Sequence, residues 1–470
     1  MKTTHQPGGM RELLAIALPM MASTACEMVM TFTDRLFLAK LGSAQMNAAL
    51  GGGLMSYLLA TFFAGLLGYS TALVAQYYGA SQKQNCAKVV TQALLIAGVA
   101  YPIILFGSPL LERLYKHSGI ASEQLVPQFQ YFRILVIFSF SGLLRGVFSG
   151  FFSGIARTRI VMCASLVSML INIPSAYVLI FGKLGFPEMG IRGAAYGTVF
   201  SGLTGVAILA GAYFLGKEHR EFAVSQAFHF NWGILRKLIK FGYPAGLEFA
   251  LNFAAFNAMI AIFQSCGQVV ATAATVTFNW DMVAFVPLIG IEIAVTSMVG
   301  QYMGAKSPDT AHRVTLSGLK MGLIFSGIML VMFLCFPTYL VNVFRPDTHP
   351  AIFDEALPLS LFMVRLVALY VLVEAVIVAL SGALRGAGDT QWAMRISVLL
   401  HWVLVGLLYG LLKVLHVSPQ TAWVVTIIWF MVFSLAFVAR YRTGKWRKIN
   451  VINDGRPVPR DDGFSEAGEL

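Results

Sequence analysis

Carboxylates sit inside stretches of this chain that are otherwise apolar, at spacings that could do chemistry. An ionised side chain at the centre of a membrane-spanning helix costs roughly 2.5–3.5 kcal/mol on insertion scales, so each one calls for a reason. Glu27 and Asp34 are seven residues apart, two helical turns, and share one helix face about 10 Å apart. That is too far for a shared proton but suits two stations on one cavity wall, each able to hold a proton or a small cation. Arg35 points about 100° away from Asp34 and marks the approach to an interface. Glu248 and Asn252, at i and i+4, form a single polar patch, and Asp281 and Glu292, eleven apart, line one face. Trp280 can offer its ring to an organic cation or simply pack in a core. Glu374 lies deep in an apolar run, half a turn out of phase with Arg365. These groups predict a cavity: Glu27, Asp34, Glu248 and Glu374 for proton or cation coupling, and Asn252, Trp280, Asp281 and Glu292 for the substrate.

Other chemistries find no residues to carry them. Neither HExxH nor DDxxD occurs, and the five cysteines (Cys26, Cys86, Cys163, Cys266, Cys335) show no CxxC or metal spacing. The stretch Gly211 to Lys217, GAYFLGK, looks like a phosphate-binding loop, but Glu218 stands where a Ser or Thr must follow, and the segment finishes an apolar helix. No cofactor and no resident metal are therefore expected. The few histidines lie mostly near the polar breaks, and the exception, His401, reads as a packing residue on an apolar helix.

The elements that position the acids are membrane helices. Hydrophobic residues make up 57% of 470 and charged residues 12%, against roughly 25% charged in soluble domains. About twelve runs are long enough to cross a bilayer: 12–39, 46–77, 88–115, 125–154, 159–181 and 193–216, then 236–264, 270–302, 314–343, 354–386, 392–413 and 419–441. The second six repeat the first. Pro19, Gly42 and Ala48-Ala49 recur as Pro244, Gly267 and Ala273-Ala274, and VAQYYGA from Val74 returns as VGQYMGA from Val299, an offset of 225 (299 − 74). Arg133, Gly150, Gly154 and Thr158 recur as Arg365, Gly382, Gly386 and Thr390, an offset of 232 (382 − 150). Asn252 is thus the repeat partner of Glu27. The GxxxG pairs Gly150/Gly154 and Gly382/Gly386 predict matching helix crossings, and Arg133 and Arg365 predict snorkelling or interhelical bonding near the outer ends.

The expected organisation is an all-α polytopic membrane protein with two pseudo-symmetric six-helix lobes. Residues 1–216 form the first lobe, 217–235 a connector, 236–441 the second lobe, and 442–470 a basic and then disordered tail. Lys and Arg fall on the side holding both termini and the connector, with Lys83, Lys88, Arg157, Arg159, Lys306, Arg313, Arg385 and Arg440, so both termini are expected to be cytoplasmic. The net charge of +12 follows from this bias and from attraction to anionic lipid, not from binding nucleic acid.

At three places the residues resemble a known family. FTDRLFLAKLGS at the end of the first span, VAQYYGA at the end of the second, and INIPSAYVLIFGKLGFPEMGIRGAAYGTVFS from Ile171 to Ser201 are similar to the multidrug and toxic compound extrusion (MATE) family, and the likeness runs through both repeats. The resemblance implies two lobes around a central cleft and export of drug-like, often cationic compounds in exchange for Na⁺ or H⁺. By position it places Asp34, Asn172 and Thr198 in the family's first-lobe cation site, which could take Na⁺, and Glu374 at a tenth-span acid. The family's seventh-span glutamate falls on Asn252, and Ala176 stands where many relatives have Asn or Asp.

The expectation is a monomeric, multi-pass protein of the inner membrane, in contact with membrane lipids. It would be a cation-coupled antiporter, H⁺ favoured over Na⁺, exporting amphipathic organic cations by alternating access. A lipid-linked oligosaccharide flippase is the nearest rival, but its pyrophosphate would call for several cavity Arg or Lys, whereas the mid-span charges here are mostly acidic. An intramembrane enzyme or a receptor is further away.

Overall fold

With no water in the bilayer core, backbone N–H and C=O groups must bond within their own segment, and helices achieve this. The structure is a computed structural model that describes residues 7–116, 122–345 and 351–452, and every regular element among them is helical. The first half contains α1 (Met10–Ala39), α2 (Ser43–Gly68), α3 (Ser70–Gly79), α4 (Lys83–Lys116), α5 (Ser122–Ile137), α6 (Ser139–Gly154), α7 (Thr158–Phe181) and α8 (Ile191–Leu215). After a short α9 (Lys217–Glu221) the second half contains α10 (Trp232–Gln264), α11 (Gln268–Gly304), α12 (Pro308–Cys335), α13 (Pro337–Asn342), α14 (Ala351–Ala387), α15 (Thr390–Tyr409) and α16 (Pro419–Arg442).

Among the described residues eleven helices are long and apolar enough to cross a membrane, α2 and α3 counting as one, and α5 with α6 makes a twelfth span bent by 48°. The expected spans match these closely. The ninth is shorter than expected, stopping at Cys335, because Pro337 opens a separate helix and its ring cannot continue the ladder of the preceding one.

The duplication holds down to the backbone. Gly42 and Gly267, repeat partners, precede α2 and α11 with φ of 130° and 108°, values that glycine adopts readily. Ser81 and Lys306, another pair, both sit at left-handed φ near 60° (60° and 56°) just past a helix end. A side chain on Gly154 would strike Thr71 and Val74 of α3, and one on Gly386 would strike Thr296 and Val299 of α11. The paired GxxxG motifs therefore mark equivalent crossings, as expected of small-residue interfaces.

The halves meet most closely where α3 runs against the end of α11. A side chain on Gly79 would collide with the Gln301 carbonyl, and one on Gly304 with the Gln76 carbonyl. Gln76 Nε2 donates to the Gly386 carbonyl at 2.8 Å, and Gln301 Nε2 donates to the Gly154 carbonyl at 2.8 Å. Each half thus uses its repeat glutamine to bond the other half's repeat glycine. Leu13 and Ile16 at the base of α1 belong to the second half's core, while their repeat partners Leu238 and Phe241 of α10 belong to the first half's. The two cores are interleaved at this end.

The connector lies at the same end. Glu221 bonds Lys83 at 2.9 Å and Arg157 at 2.5 Å, and Arg157 also holds Glu218. The Lys83 ammonium foremost, and Arg157 with it, hold the Glu221 carboxyl below its ordinary range. Beyond α16 the chain does not simply trail away. Trp446 is buried against Tyr441, and Val451 is fully buried in the first half's core, over Gly388. Lys237 donates to the Ile452 carbonyl. Residues 446 to 452 are thus packed against both halves, and the remainder of the tail expected to be disordered, 453–470, lies outside the described residues.

Because Gly79 and Gly304 admit no Cβ, Gly304→Ala is expected to lower the thermal melting point of the purified protein, overpacking costing about 1–3 kcal/mol. Gly327→Ala, which meets nothing within 4 Å, should leave it unchanged or raise it. Equal melting points for the two variants would contradict the crossing.

Candidate functional site

Interhalf approaches run from the Gly79 and Gly304 crossing through Gly242 against Leu66, Gly246 against Phe62 and Gly290 against Met21 to Tyr57 packed on Phe249 and Phe253. Farther along the same helices, Glu27, Thr31 and Phe32 of α1 and Thr275 and Asn279 of α11 are exposed. Polar side chains on membrane helices face the bundle interior or a water-filled cavity, so the exposed Glu27, Thr31, Thr275 and Asn279 mark a cleft between the halves at the end away from the connector.

In the first half, Asp34 is buried and accepts a hydrogen bond from Thr198 Oγ1 at 2.9 Å. Asn172 is fully buried and close enough to act on the same carboxylate, yet neither of its side-chain polar atoms has a hydrogen-bond partner, and neither does Asp34 Oδ1. Buried polar groups are rarely left unpaired, so such a cluster marks a place built for something other than packing. Asp34, Asn172 and Thr198 come together as the family pattern implied. Tyr131, which sequence reasoning missed, lies within reach of Asp34 and Thr198; one tyrosine in an apolar run gives no spacing signal. Ala176 has a physical reason to be small: α8 crosses so tightly that a side chain on Gly197 would come within about 3.1 Å of Ala176.

Glu27 does not join this cluster. Its side chain is 53% exposed and pairs with Arg145 of α6 at 2.8 Å, while Arg145 also bonds Ser165. Asp34 is turned into its half and Glu27 into the cleft, so two turns of helix separate two environments.

The second half divides its acids into two layers. Glu374 accepts from Tyr370 at 2.9 Å and lies within charge range of Asp281; Glu374 Oε2 and Asp281 Oδ1 have no partner. Asp281 and Tyr370 line a cavity walled by Phe256, Met259, Phe278, Trp423 and Phe430. Two carboxylates within charge range of each other in apolar surroundings repel, and a proton or cation held there relieves the repulsion. Nearer the interleaved end, Arg385 lies 3.0 Å from Glu292 and 3.9 Å from Glu248, and Ser381 donates to Glu292. Arg385, expected among the cytoplasmic break charges, instead neutralises two membrane acids.

Several expectations change accordingly. Asp281 and Glu292 serve different layers and not one face. Glu248 is eight residues, about 12 Å of helix, from Phe256 of the aromatic cavity, so it belongs to Arg385 and not to Glu374. Asn252 is tied to Ser397 at 2.7 Å. Trp280 spends its indole N–H on the Leu340 carbonyl at 3.0 Å and packs edge-on against Phe333 and Phe344, which makes it a core residue, not a ring offered to a ligand. Arg133 bonds Glu112 through two nitrogens at 2.6 Å, an interhelical pair, whereas its partner Arg365 stands exposed on α14. Arg145 was missed because its acid lies 118 residues away.

A duplicated bundle of membrane helices, interleaved at one end, parted at the other and carrying unpartnered carboxylates within, has the build of a secondary transporter. The family model described as MatE matches residues 19–178 and 244–409, more than half of the chain, and the two stretches begin at the repeat prolines Pro19 and Pro244. The chain belongs to the MatE family of multidrug and toxic compound extrusion transporters. It is 26% identical over 456 residues to the probable multidrug resistance protein NorM of Thermotoga maritima, covering 95% of each chain. It is 26% identical over 408 residues to the probable multidrug resistance protein NorM of Bacillus subtilis, covering 85% and 87%. A MOP superfamily transporter from Pyrococcus furiosus has the same fold, with a TM-score of 0.83 at 20% identity over 93% of this chain and 97% of that one. So does an outward-facing multidrug resistance MATE family transporter, with a TM-score of 0.83 at 19% identity and the same coverage.

Removing Arg385 would leave Glu248 and Glu292 without a counter-charge. Arg385→Met is expected to destabilise the purified protein by about 3 kcal/mol, the scale for breaking a buried ion pair, and Glu292→Gln in the same chain should restore part of the loss. Melting curves of the single and double variants check this; additive losses would refute the pairing.

Proposed function

We propose that this protein resides in the cell (inner) membrane, works as a monomer, and exports amphipathic organic cations in exchange for protons, by alternating access between its halves. Relatives named as multidrug resistance proteins support the export of drug-like compounds. The observation that carries the coupling is the buried Asp34 carboxylate, with one oxygen held by Thr198 and the other unpartnered beside Asn172. Such a carboxylate can hold a proton or a cation but not both at full strength, and competition at one acid couples the two fluxes.

Sodium would draw on Asp34, Asn172 and Thr198, but hard cations need a cage of several oxygens. Here Ala176 supplies no side-chain oxygen, and the acid layer near Asn252 is committed to Arg385. A proton needs only one carboxylate. Glu374 and Asp281 offer a second such place in the other half. Exchange of one monovalent cation for one proton moves no net charge, so the pH difference alone drives it.

Both termini and the 217–235 connector are assigned to the cytoplasm on the Lys and Arg distribution; the cleft then opens outward.

Two experiments test this reading. In proteoliposomes with an imposed pH gradient and no sodium, wild-type protein should move an organic cation while Asp34→Asn does not; transport only on adding a sodium gradient would replace the proton by sodium, and wild-type rates in the variant would remove Asp34 from coupling. In a chain freed of its native cysteines, a cysteine at Phe230 should react with an impermeant maleimide only in inverted vesicles, and one at His416 only in right-side-out vesicles. The opposite pattern would reverse the topology.

A further inference from the structure

We propose that Arg145 is the specificity-determining residue of the cleft, an internal guanidinium that competes with the transported organic cation for Glu27. The inference rests on the reading that the substrate is cationic.

The geometry sets the roles. Of the two partners Glu27 is the exposed one, at 53%, and Arg145 the covered one, at 20%. Arg145 Nη2 spends itself on Glu27 Oε1 at 2.8 Å and Ser165 Oγ at 2.9 Å, and Ser165 is tied to Ser23 at 2.6 Å. The guanidinium is therefore anchored from behind, while Glu27 Oε2 has no partner among the described residues. An approaching ligand meets the carboxylate, so the pair selects for positive charge. Tyr57 lies within the field of Glu27 and packs edge-on against Phe249 and Phe253 across the interface, supplying aromatic faces for an apolar cation.

The duplication shows that this pair is not a packing requirement. Ser165 and Ser397 are repeat partners, as are Glu27 and Asn252. In the second half the same helix contact is closed by a neutral bond from Asn252 to Ser397 at 2.7 Å. Only the first half replaces the amide with a carboxylate, which then requires a counter-charge. Arg145 is that counter-charge, and it holds Glu27 at partial strength. A cation can displace it on entry, and its return to Glu27 favours release.

The test is equilibrium binding of tetraphenylphosphonium to the purified full-length protein, with transport of the same cation in proteoliposomes. Arg145→Met should tighten binding about tenfold, as expected for removal of a close competing charge, and should lower both KM and kcat because release slows. Arg145→Lys should stay near wild type, and Glu27→Gln should weaken binding and abolish the effect of Arg145→Met in the double variant. A purely structural arginine would move stability without tightening binding and lowering KM and kcat together. If wild-type protein binds the cation but Arg145→Met binds it equally or more weakly, or if Glu27→Gln leaves affinity unchanged, the competition is overturned. If wild-type protein binds no tetraphenylphosphonium, the cationic-substrate reading itself fails.

Discussion

Two backbones cross so closely at Gly79 and Gly304 that each lies against a carbonyl of the other half. Between transmembrane helices lipid provides no hydrophobic drive, so close packing and hydrogen bonds must supply the attachment. The Gln76 and Gln301 amides provide those bonds in reciprocal fashion, and the exchange of helix bases between cores widens the contact. With the halves joined firmly at one end, they can part at the other, and the cleft that Glu27 faces exists only because of that asymmetry. A bundle packed evenly along its length would leave Glu27 no opening to face.

The charges are sorted by what surrounds them. Asp34 is turned away from the cleft, toward α7 and α8; Glu27 stands in it beside Arg145; Glu248 and Glu292 are bound to Arg385; Asp281 lines an aromatic cavity with no basic residue in its lining, and Glu374 is joined to that cavity through Tyr370. Pairing an intramembrane acid with arginine offsets its desolvation, and any other cation must then compete with the guanidinium for that acid. Asp34, Asp281 and Glu374 have no such competitor among the described residues.

Much of this was legible in the residues. Repeat spacing and apolar runs gave the twelve spans and the matching crossings, since both depend on local periodicity. Asp34 with Asn172 and Thr198 could be assembled only through family resemblance, because three different helices bring them together. What spacing along one helix could not reveal was which way each helix faces its neighbours. Asp281 and Glu292 share a face in projection, yet different helices pack against that face at each level. Arg145 and Arg385 were hidden for the same reason: one has its acid 118 residues away, and the other looks like a loop charge until α14 is seen to run through it to Ala387.

The last described residues have a consequence for how the molecule is made. Val451 fills a place in the first half's core, and the carbonyl of Ile452 takes the Lys237 ammonium. Translation delivers these residues after all twelve spans. The first six helices can enter the bilayer as they emerge, but their packing stays incomplete until the segment after α16 has been made. Insertion therefore runs ahead, while consolidation of the first half waits on a segment that follows the second half, so the duplicated units cannot mature as two independent folding events.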